Sequence, residues 1–189
     1  KILGEHGIFS NVIRVPITFP PEKFHGIVLS AMCVPDLRGT QGTFSYYSTR
    51  AAVEKEYIGG EQIRVARQDK TIRSHLVGPP DMIGGNGTPM RCPFQIVIKD
   101  KGQCVLNICG QRIPLTQGNY TPWIHVEFKG SLGIKVHGIC EFLLLNTEPA
   151  FDLYVTPIQI DPDRPAMPIA YPAVYSHYLS KAQGPFATL

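Results

Sequence analysis

The chain has 189 residues, of which 43% are hydrophobic and 17% charged, with a formal net charge of +3 at pH 7. This composition predicts a globular protein of one domain, or one domain and part of another, and excludes a disordered tail. The weak charge gives no indication of a nucleic-acid partner, and no segment reaches the roughly 18 consecutive apolar residues of a membrane span. Eighteen glycines and 17 prolines favour short strands and turns over long helices.

The cysteine pattern favours reduced thiols. The five cysteines are odd in number and form no Cys-x-x-Cys pair; they are Cys33, Cys92, Cys104, Cys109 and Cys140. Buried free thiols in a reducing compartment are the common case, which favours a cytoplasmic location. A single pairing, such as Cys104 with Cys140, stays open.

The N-terminal part contains the least generic segment. Residues 8–19 read as a strand broken at Pro16, and the loop of residues 35–47 follows an apolar stretch. Asp36 and Arg38 lie beside two glycines in this loop, which predicts an ordered turn with an internal ion pair. The alternative is a loop that contacts a polar ligand, with Arg38 on an anion and Tyr46 or Tyr47 stacking.

A β-rich middle segment follows. Residues 61–67 alternate as a strand, and residues 71–77 are its predicted partner across the turn at 68–70. One helical turn is expected over 51–57. The run Gly84-Gly-Asn-Gly resembles a phosphate-binding loop only superficially, because no Gly-Lys-Ser/Thr follows it. We therefore expect a long loop here.

From Pro93 the pattern predicts antiparallel meandering strands with turns at 99–102 and near 110. Residues 123–128 form a strand with Ile124, Val126 and Phe128 inward. The outward residues leave two further hypotheses. One is a metal site of His125, His137 and Glu127. The other is a sugar-stacking platform of Trp123 with Tyr120.

Residues 133–161 are predicted to form the central β-hairpin, with the run Phe142–Leu145 covered on both faces. A proline-rich connector over 161–168 then leads to a helix over 173–182. We expect Val174, Tyr178 and Leu179 on the buried side of that helix.

The fold class predicted from these elements is mainly β, in the α+β sense. It comprises an antiparallel two-sheet, β-sandwich-like domain with one C-terminal helix and a truncated piece of α/β core at the N-terminus. The expected division is a partial core segment over 1–50, an inserted β domain over 51–160, and a return connector with the helix over 161–189.

Four segments, at residues 15–21, 34–47, 154–165 and 184–189, resemble an internal portion of the type I phosphodiesterase/nucleotide pyrophosphatase family of the alkaline phosphatase superfamily. The resemblance implies an α/β core with two divalent metal ions, usually zinc, and a Thr or Ser nucleophile. It also implies that this chain is a middle piece of a longer protein.

The family's catalytic motifs are missing from this sequence. There is no Asp-Gly-Thr or Asp-Gly-Ser turn and no Asp-His-Gly motif, and the six histidines have no ligand spacing. We therefore assign no catalytic residue, metal ligand or cofactor to this chain, and expect the two metal ions in the parent enzyme.

The leading expectation is a non-catalytic domain that shapes substrate access in a phosphodiesterase. Its partners would be the rest of the parent catalytic domain and a phosphoester substrate. The alternative is a self-standing binding module for carbohydrate or a protein partner, using Trp123. The weakest alternative is an independent enzyme built on Asp36, Arg38 and the neighbouring tyrosines. Candidate ligand contacts are therefore Asp36, Arg38, Tyr46, Tyr47 and Trp123.

Overall fold

The computed structural model describes residues 2–51, 59–84 and 87–189. Strands account for 46% of the residues and helices for 9%, which confirms the mainly β class with several sheets and a C-terminal helix. Most of the helical turn expected over 51–57 lies outside the described residues. Within the described part of the chain, no helix is long and apolar enough to span a membrane.

The elements are short, as the glycine and proline content predicts. The helices are α1 (Ile2–Glu5) and α2 (Val174–Gln183), and Ser131–Gly133 forms a 3₁₀ turn. The strands are β1 (Ser10–Val15), β2 (Gly26–Ser30), β3 (Phe44–Ser48), β4 (Gly60–Arg64), β5 (Arg67–Gln68), β6 (Thr71–Pro80), β7 (Pro89–Asp100), β8 (Gln103–Ile108), β9 (Gln111–Thr116), β10 (Ile124–Lys129), β11 (Lys135–Cys140), β12 (Phe142–Asn146), β13 (Asp152–Val155), β14 (Gln159–Ile160) and β15 (Ala170–Tyr171).

The chain divides into two compact units. The first, here called the outer unit, combines Lys1–Gln41 with Gln159–Leu189, and the second, the middle unit, is Gly42–Ile158. In the outer unit, β2 lies at the centre of a three-stranded sheet, with β1 parallel to it on one side and β15 antiparallel on the other. Segments from the two ends of the chain thus share one sheet.

Helix α2 packs against β15 and β2 of this sheet, but not through the face that we predicted. Val174 is 73% exposed and Tyr178 is 65% exposed, whereas Ser176 and Ser180 are buried. These serines are four residues apart and therefore lie on one face of the helix. The prediction of a buried apolar face was wrong because small side chains, which allow a close approach of the helix backbone, occupy that face.

The middle unit contains two principal sheets. Strands β5 to β9 form an antiparallel meander in sequence order, and the second sheet has the order β12-β13-β3-β4. The predicted turns at 99–102 and near 110 are confirmed by the β7-β8 and β8-β9 pairings. Strands β10 and β11 pair as an antiparallel hairpin, with Ile124, Val126 and Phe128 buried as expected.

Three aromatic rings join the two principal sheets. The ring of Tyr47 on β3 meets Phe94 on β7 edge-on at 5.2 Å between centroids, and Phe94 meets Phe142 on β12 in the same way at 5.9 Å. The Tyr47 hydroxyl donates a hydrogen bond of 2.8 Å to the backbone oxygen of His75 on β6. The prediction of two packed sheets is thereby confirmed at the level of side chains.

Two predicted pairings need correction. Strand β4 pairs in parallel with β3, and only Arg67 and Gln68 pair with β6, so residues 61–67 are not the hairpin partner of 71–77. The predicted central hairpin also splits, because β11 pairs with β10 whereas β12 pairs with β13. A further prediction concerns burial, not pairing. In the run Phe142–Leu145 only Phe142 and Leu144 are buried, so the prediction that both faces of this strand are buried was wrong.

The loop that contains Gly84 is organised by a carboxylate. Asp81 accepts hydrogen bonds from the amides of Ile83 and Gly84 at 3.2 and 3.1 Å, and from the amide of Ser131 at 2.6 Å. Hydrogen bonds from Ser131, followed by that from Gly84, lower the pKa of Asp81 to about 2. The amides that a phosphate-binding loop would offer to an anion are thus directed at a side chain of the same loop.

We expect Tyr47→Phe to destabilise the protein by about 1 kcal/mol, because it removes the part-buried hydrogen bond to the His75 carbonyl. Urea unfolding measured by near-UV circular dichroism checks this. The control is Tyr120→Phe, whose side chain is 53% exposed, and its effect should stay within about 0.5 kcal/mol. Equal effects for both variants would contradict the assigned role of the Tyr47 hydroxyl.

We expect Asp81→Asn to be less stable than the wild type at pH 7, with a difference that disappears at low pH. Folding lowers the pKa of Asp81 from 3.8 to about 2. The stabilisation is therefore complete above pH 3.8 and is lost as the pH falls through about 2. Urea midpoints of both proteins at pH 7, 4 and 2 measure this.

Asp69→Asn is a suitable control, because Asp69 is an exposed aspartate in a turn and its substitution should change the pH 7 midpoint little. If the urea midpoints of the wild type and Asp81→Asn differ by the same amount at pH 7 and pH 2, the link between the ionisation of Asp81 and stability is contradicted.

Candidate functional site

The loop after Val34 is held by the buried carboxylate of Asp36. One of its oxygens accepts hydrogen bonds from the amides of Arg38 and Thr40, at 2.9 and 2.8 Å. The other accepts from the Thr40 hydroxyl, and the amide of Asp36 donates to the backbone oxygen of Thr40 at 2.8 Å. Asp36 therefore acts as the organiser of an ordered turn, as an aspartate commonly does, and Arg38 in this turn is half-buried.

The two candidate tyrosines point to opposite faces of β3. Tyr47 is 0% exposed and belongs to the core between the two sheets. Its ring is surrounded by protein and leaves no face for a ligand to stack on. Tyr46 is half-buried on the other face, because successive residues of a strand alternate between its two sides.

Tyr46 belongs to a group of aromatic side chains on the outer side of the β12-β13-β3-β4 sheet, here called the aromatic face. Its members are Phe44, Tyr46, Tyr120 and Tyr154. Tyr154 lies directly opposite Tyr46 in the β13-β3 register and opposite Leu143 in the β12-β13 register. Tyr120 reaches this sheet through an isolated bridge to Leu143.

Tyr154 is the centre of the aromatic face. Its ring centroid lies 5.3 Å from that of Phe44 and 6.3 Å from that of Tyr120. Burial, and to a lesser extent Tyr120, raise the pKa of Tyr154, so its phenol keeps its proton at neutral pH and remains a hydrogen-bond donor. The arrangement offers ring surface together with hydroxyl groups, which sequence inspection did not bring together.

A buried carboxylate lies on the same side of this sheet. Asp152 is 1% exposed, accepts a hydrogen bond of 2.7 Å from the Ser48 hydroxyl and one of 3.2 Å from Asn146, and forms an ion pair with Arg50 at 3.1 Å. Asp152 and Ser48 also lie opposite each other in the β13-β3 register. A buried charge needs such partners, and this one ties three segments of the middle unit together.

The other sequence hypotheses concern the β10-β11 hairpin. Glu127 lies opposite His137 in the register, and its carboxylate pairs with Lys135 at 3.2 Å. The hydrogen bond from Lys135 lowers the pKa of Glu127. In the described ranges, no group of three or more His, Cys, Asp or Glu side chains is arranged to hold a metal ion. Trp123 is half-buried just before β10 begins.

The cysteines are free, as expected, and Cys104 and Cys140 do not form a disulfide. A different pair is close: the Sγ atoms of Cys92 and Cys109 lie 3.3 Å apart. Sequence reasoning missed this pair, although the predicted β7-β8 hairpin contained the signal. Phe94 lies opposite Ile108, so Cys92 and Cys109 lie near each other at the same end of the hairpin.

The candidate residues are divided between the two units, with Asp36 and Arg38 in the outer unit and Tyr46, Tyr47 and Trp123 in the middle unit. In comparisons with known proteins, no protein family, no curated protein and no solved structure matches this chain. The resemblance to the phosphodiesterase family therefore stays a prediction.

Proposed function

We propose that this chain is a non-catalytic, substrate-shaping part of a metal-dependent phosphodiesterase, and that the catalytic groups belong to segments outside it. The observation that carries this proposal is the division of the chain. Two segments that are separated by 117 residues in sequence, ending at Gln41 and beginning again at Gln159, form one unit, and the residues between them form another. This is the connectivity of a domain inserted into a second domain.

Hydrogen bonds within the outer unit support this reading. The amide of Met32 donates to the backbone oxygen of Thr188 at 2.9 Å, and the amide of Ser30 donates to that of Ile169 at 2.9 Å. The resembling segment that begins at Tyr154 contains the fully buried Asp161, which accepts from the amide of Asp163 and pairs with Arg164 at 3.6 Å. Many of the residues that carry the resemblance to the phosphodiesterase family thus lie in ordered turns of the outer unit.

The outer unit also exposes apolar surface. Strand β1 lies at the edge of its sheet, and the apolar side chains of Ile13, Val15 and Ile17 in and after it are exposed. An exposed edge strand of this kind is usually covered in the working protein. In the proposal, the rest of the parent catalytic domain covers it and supplies the two divalent ions, expected to be zinc, while the middle unit limits which phosphoesters enter.

The first test is enzymatic. We expect no hydrolysis of bis(4-nitrophenyl) phosphate above a metal-only blank when the purified chain is incubated with Zn²⁺ or Mn²⁺, because the proposal assigns the nucleophile and the metal ligands to other segments. The coding sequence on either side of this segment should then encode Asp- and His-containing metal motifs and a Thr or Ser nucleophile. Turnover by the chain alone, or flanks without such motifs, would contradict the proposal.

A second candidate function is carbohydrate binding by the aromatic face. Sugar rings stack their C–H groups on aromatic side chains, and neighbouring polar groups then fix their orientation. Tyr154, Tyr46 and Tyr120 supply ring surface, and Gln62 lies directly beside Tyr46 in the β3-β4 register. This favours the aromatic face over Trp123 as the sugar platform. The alternative of a protein partner that binds through Trp123 stays a prediction.

A glycan array measures this second candidate. We expect the protein to bind at least one glycan. Tyr120→Ala should weaken this binding at least tenfold, because it removes an exposed ring from the platform. Tyr178→Ala is the matched control, because it removes another exposed tyrosine, on α2 in the outer unit, and should leave binding unchanged. An array without hits, or equal losses in both variants, would contradict carbohydrate binding at this face.

A further inference from the structure

The Cys92 and Cys109 pair lies at the surface of the middle unit. Cys92 belongs to β7 and is 2% exposed, whereas Cys109 is exposed in the turn between β8 and β9. Their Sγ atoms are 3.3 Å apart. A disulfide bond is about 2.05 Å long, so the two sulfur atoms need to approach by only about 1.3 Å.

The turn that holds Cys109 is unusual for a cysteine. Strands β8 and β9 are joined by the two residues Cys109 and Gly110, with φ angles of 47° and 73°. A two-residue turn with positive φ at both positions strongly prefers Asn-Gly or Asp-Gly. A left-handed backbone is unfavourable for a residue other than glycine. A thiol is therefore held at this turn at the expense of stability, which is typical of functional positions.

Four neighbouring groups set the charge on Cys109. The hydrogen bond from the Cys92 thiol is the main reason that the pKa of Cys109 is lowered to about 6. The amide of Glu127 donates to the Cys109 sulfur at 3.4 Å and lowers the pKa further, as does Lys129, while burial and the Glu127 carboxylate oppose them. The same hydrogen bond keeps the proton on Cys92 and so raises the pKa of Cys92. Burial and Cys140 raise it further.

The expected state at pH 7 is therefore a Cys109 thiolate that accepts a hydrogen bond from the Cys92 thiol. A thiolate is the form that attacks disulfides, and a pKa near the ambient pH combines a large thiolate fraction with good nucleophilicity. Cys109 is exposed to reagents, and its partner sulfur is within reach.

An open cleft of about 470 Å³ borders Cys109. Its lining includes Arg73 on β6 and Arg112 on β9, together with the amide side chains of Gln95 and Asn107. A cleft lined by Cys109 and two arginines fits a small disulfide that carries carboxylates, because arginine binds carboxylates well.

We infer that Cys92 and Cys109 form a redox-active dithiol, which a small carboxylate-bearing peptide disulfide oxidises to an intramolecular disulfide. In the first step the Cys109 thiolate attacks one sulfur of the reagent; a mixed disulfide forms and one reagent thiolate leaves. In the second step the Cys92 sulfur attacks the Cys109 sulfur, and the second reagent thiolate leaves with the Cys92 proton.

The electrons balance in this sequence, because the protein dithiol loses two electrons and the reagent disulfide gains two. Forming the mixed disulfide removes the negative charge from Cys109, and with it the hydrogen bond that is the main cause of the raised pKa of Cys92. The first step thus prepares the second. A dithiol reductant reverses both steps.

The test uses the full chain, reduced and then incubated with glutathione disulfide at pH 7. We expect peptide mapping by mass spectrometry to find Cys92 linked to Cys109, with the loss of two hydrogen atoms. In Cys92→Ala the reaction should stop at a glutathione adduct on Cys109. Cys33→Ser is the control, because it removes another exposed cysteine and should leave the Cys92–Cys109 linkage intact.

A second measurement is the pH dependence of iodoacetamide alkylation at Cys109. The midpoint should lie near pH 6 in the reduced wild type and should rise by one unit or more in Cys92→Ala, which lacks the donor. Absence of the internal disulfide in the wild type, loss of the linkage in Cys33→Ser, or an unchanged alkylation midpoint would each overturn the inference.

Discussion

The contact of Tyr47 with Phe94, and of Phe94 with Phe142, is the interaction on which the middle unit depends. Edge-to-face aromatic pairs contribute about 0.5–1.5 kcal/mol beyond the burial of their area, and here they connect strands of two different sheets. The hydrogen bond from the Tyr47 hydroxyl to the backbone oxygen of His75 fixes how far the Tyr47 ring extends between the two sheets. Because Tyr47 points inward, the strand alternation turns Phe44 and Tyr46 outward. The core contact therefore creates the aromatic face on the opposite side of the same sheet.

The elements that sequence predicted well are those whose partners are close in the chain. Strands β7, β8 and β9 are joined by short turns, so alternation and turn residues fix their register locally. The parallel pairing of β4 with β3 was missed because parallel strands need a crossover connection, and no local signal marks their register. The buried face of α2 was missed for a different reason, since apolarity is a poor guide when serines lie against the sheet.

The candidate residues show the same difference between local contacts, which sequence can predict, and long-range contacts, which it cannot. Asp36 was predicted as a turn former from its neighbours, and its hydrogen bonds are indeed local. Tyr46 and Tyr47 were equivalent in sequence, because only the long-range contact with Phe94 decides which of them is buried. The aromatic face required Tyr154 and Tyr120, which are more than 70 residues from Tyr46. Among the features that the sequence analysis missed, the Cys92 and Cys109 pair was within reach, through the register of a hairpin that was itself predicted correctly.

The position of this dithiol decides what its oxidation can do. A disulfide that closes a loop of roughly 15 residues contributes about 3 kcal/mol in the chain-entropy account, and Cys92 and Cys109 are 17 residues apart. Strands β7 and β8 are already hydrogen-bonded neighbours, so the bond locks an existing hairpin and leaves the strand order unchanged. Its effect falls on the turn at Cys109 and Gly110 and on the cleft beside it, where two arginines lie. Oxidation is thus suited to changing a local surface of the middle unit without disturbing the aromatic core that holds its sheets together.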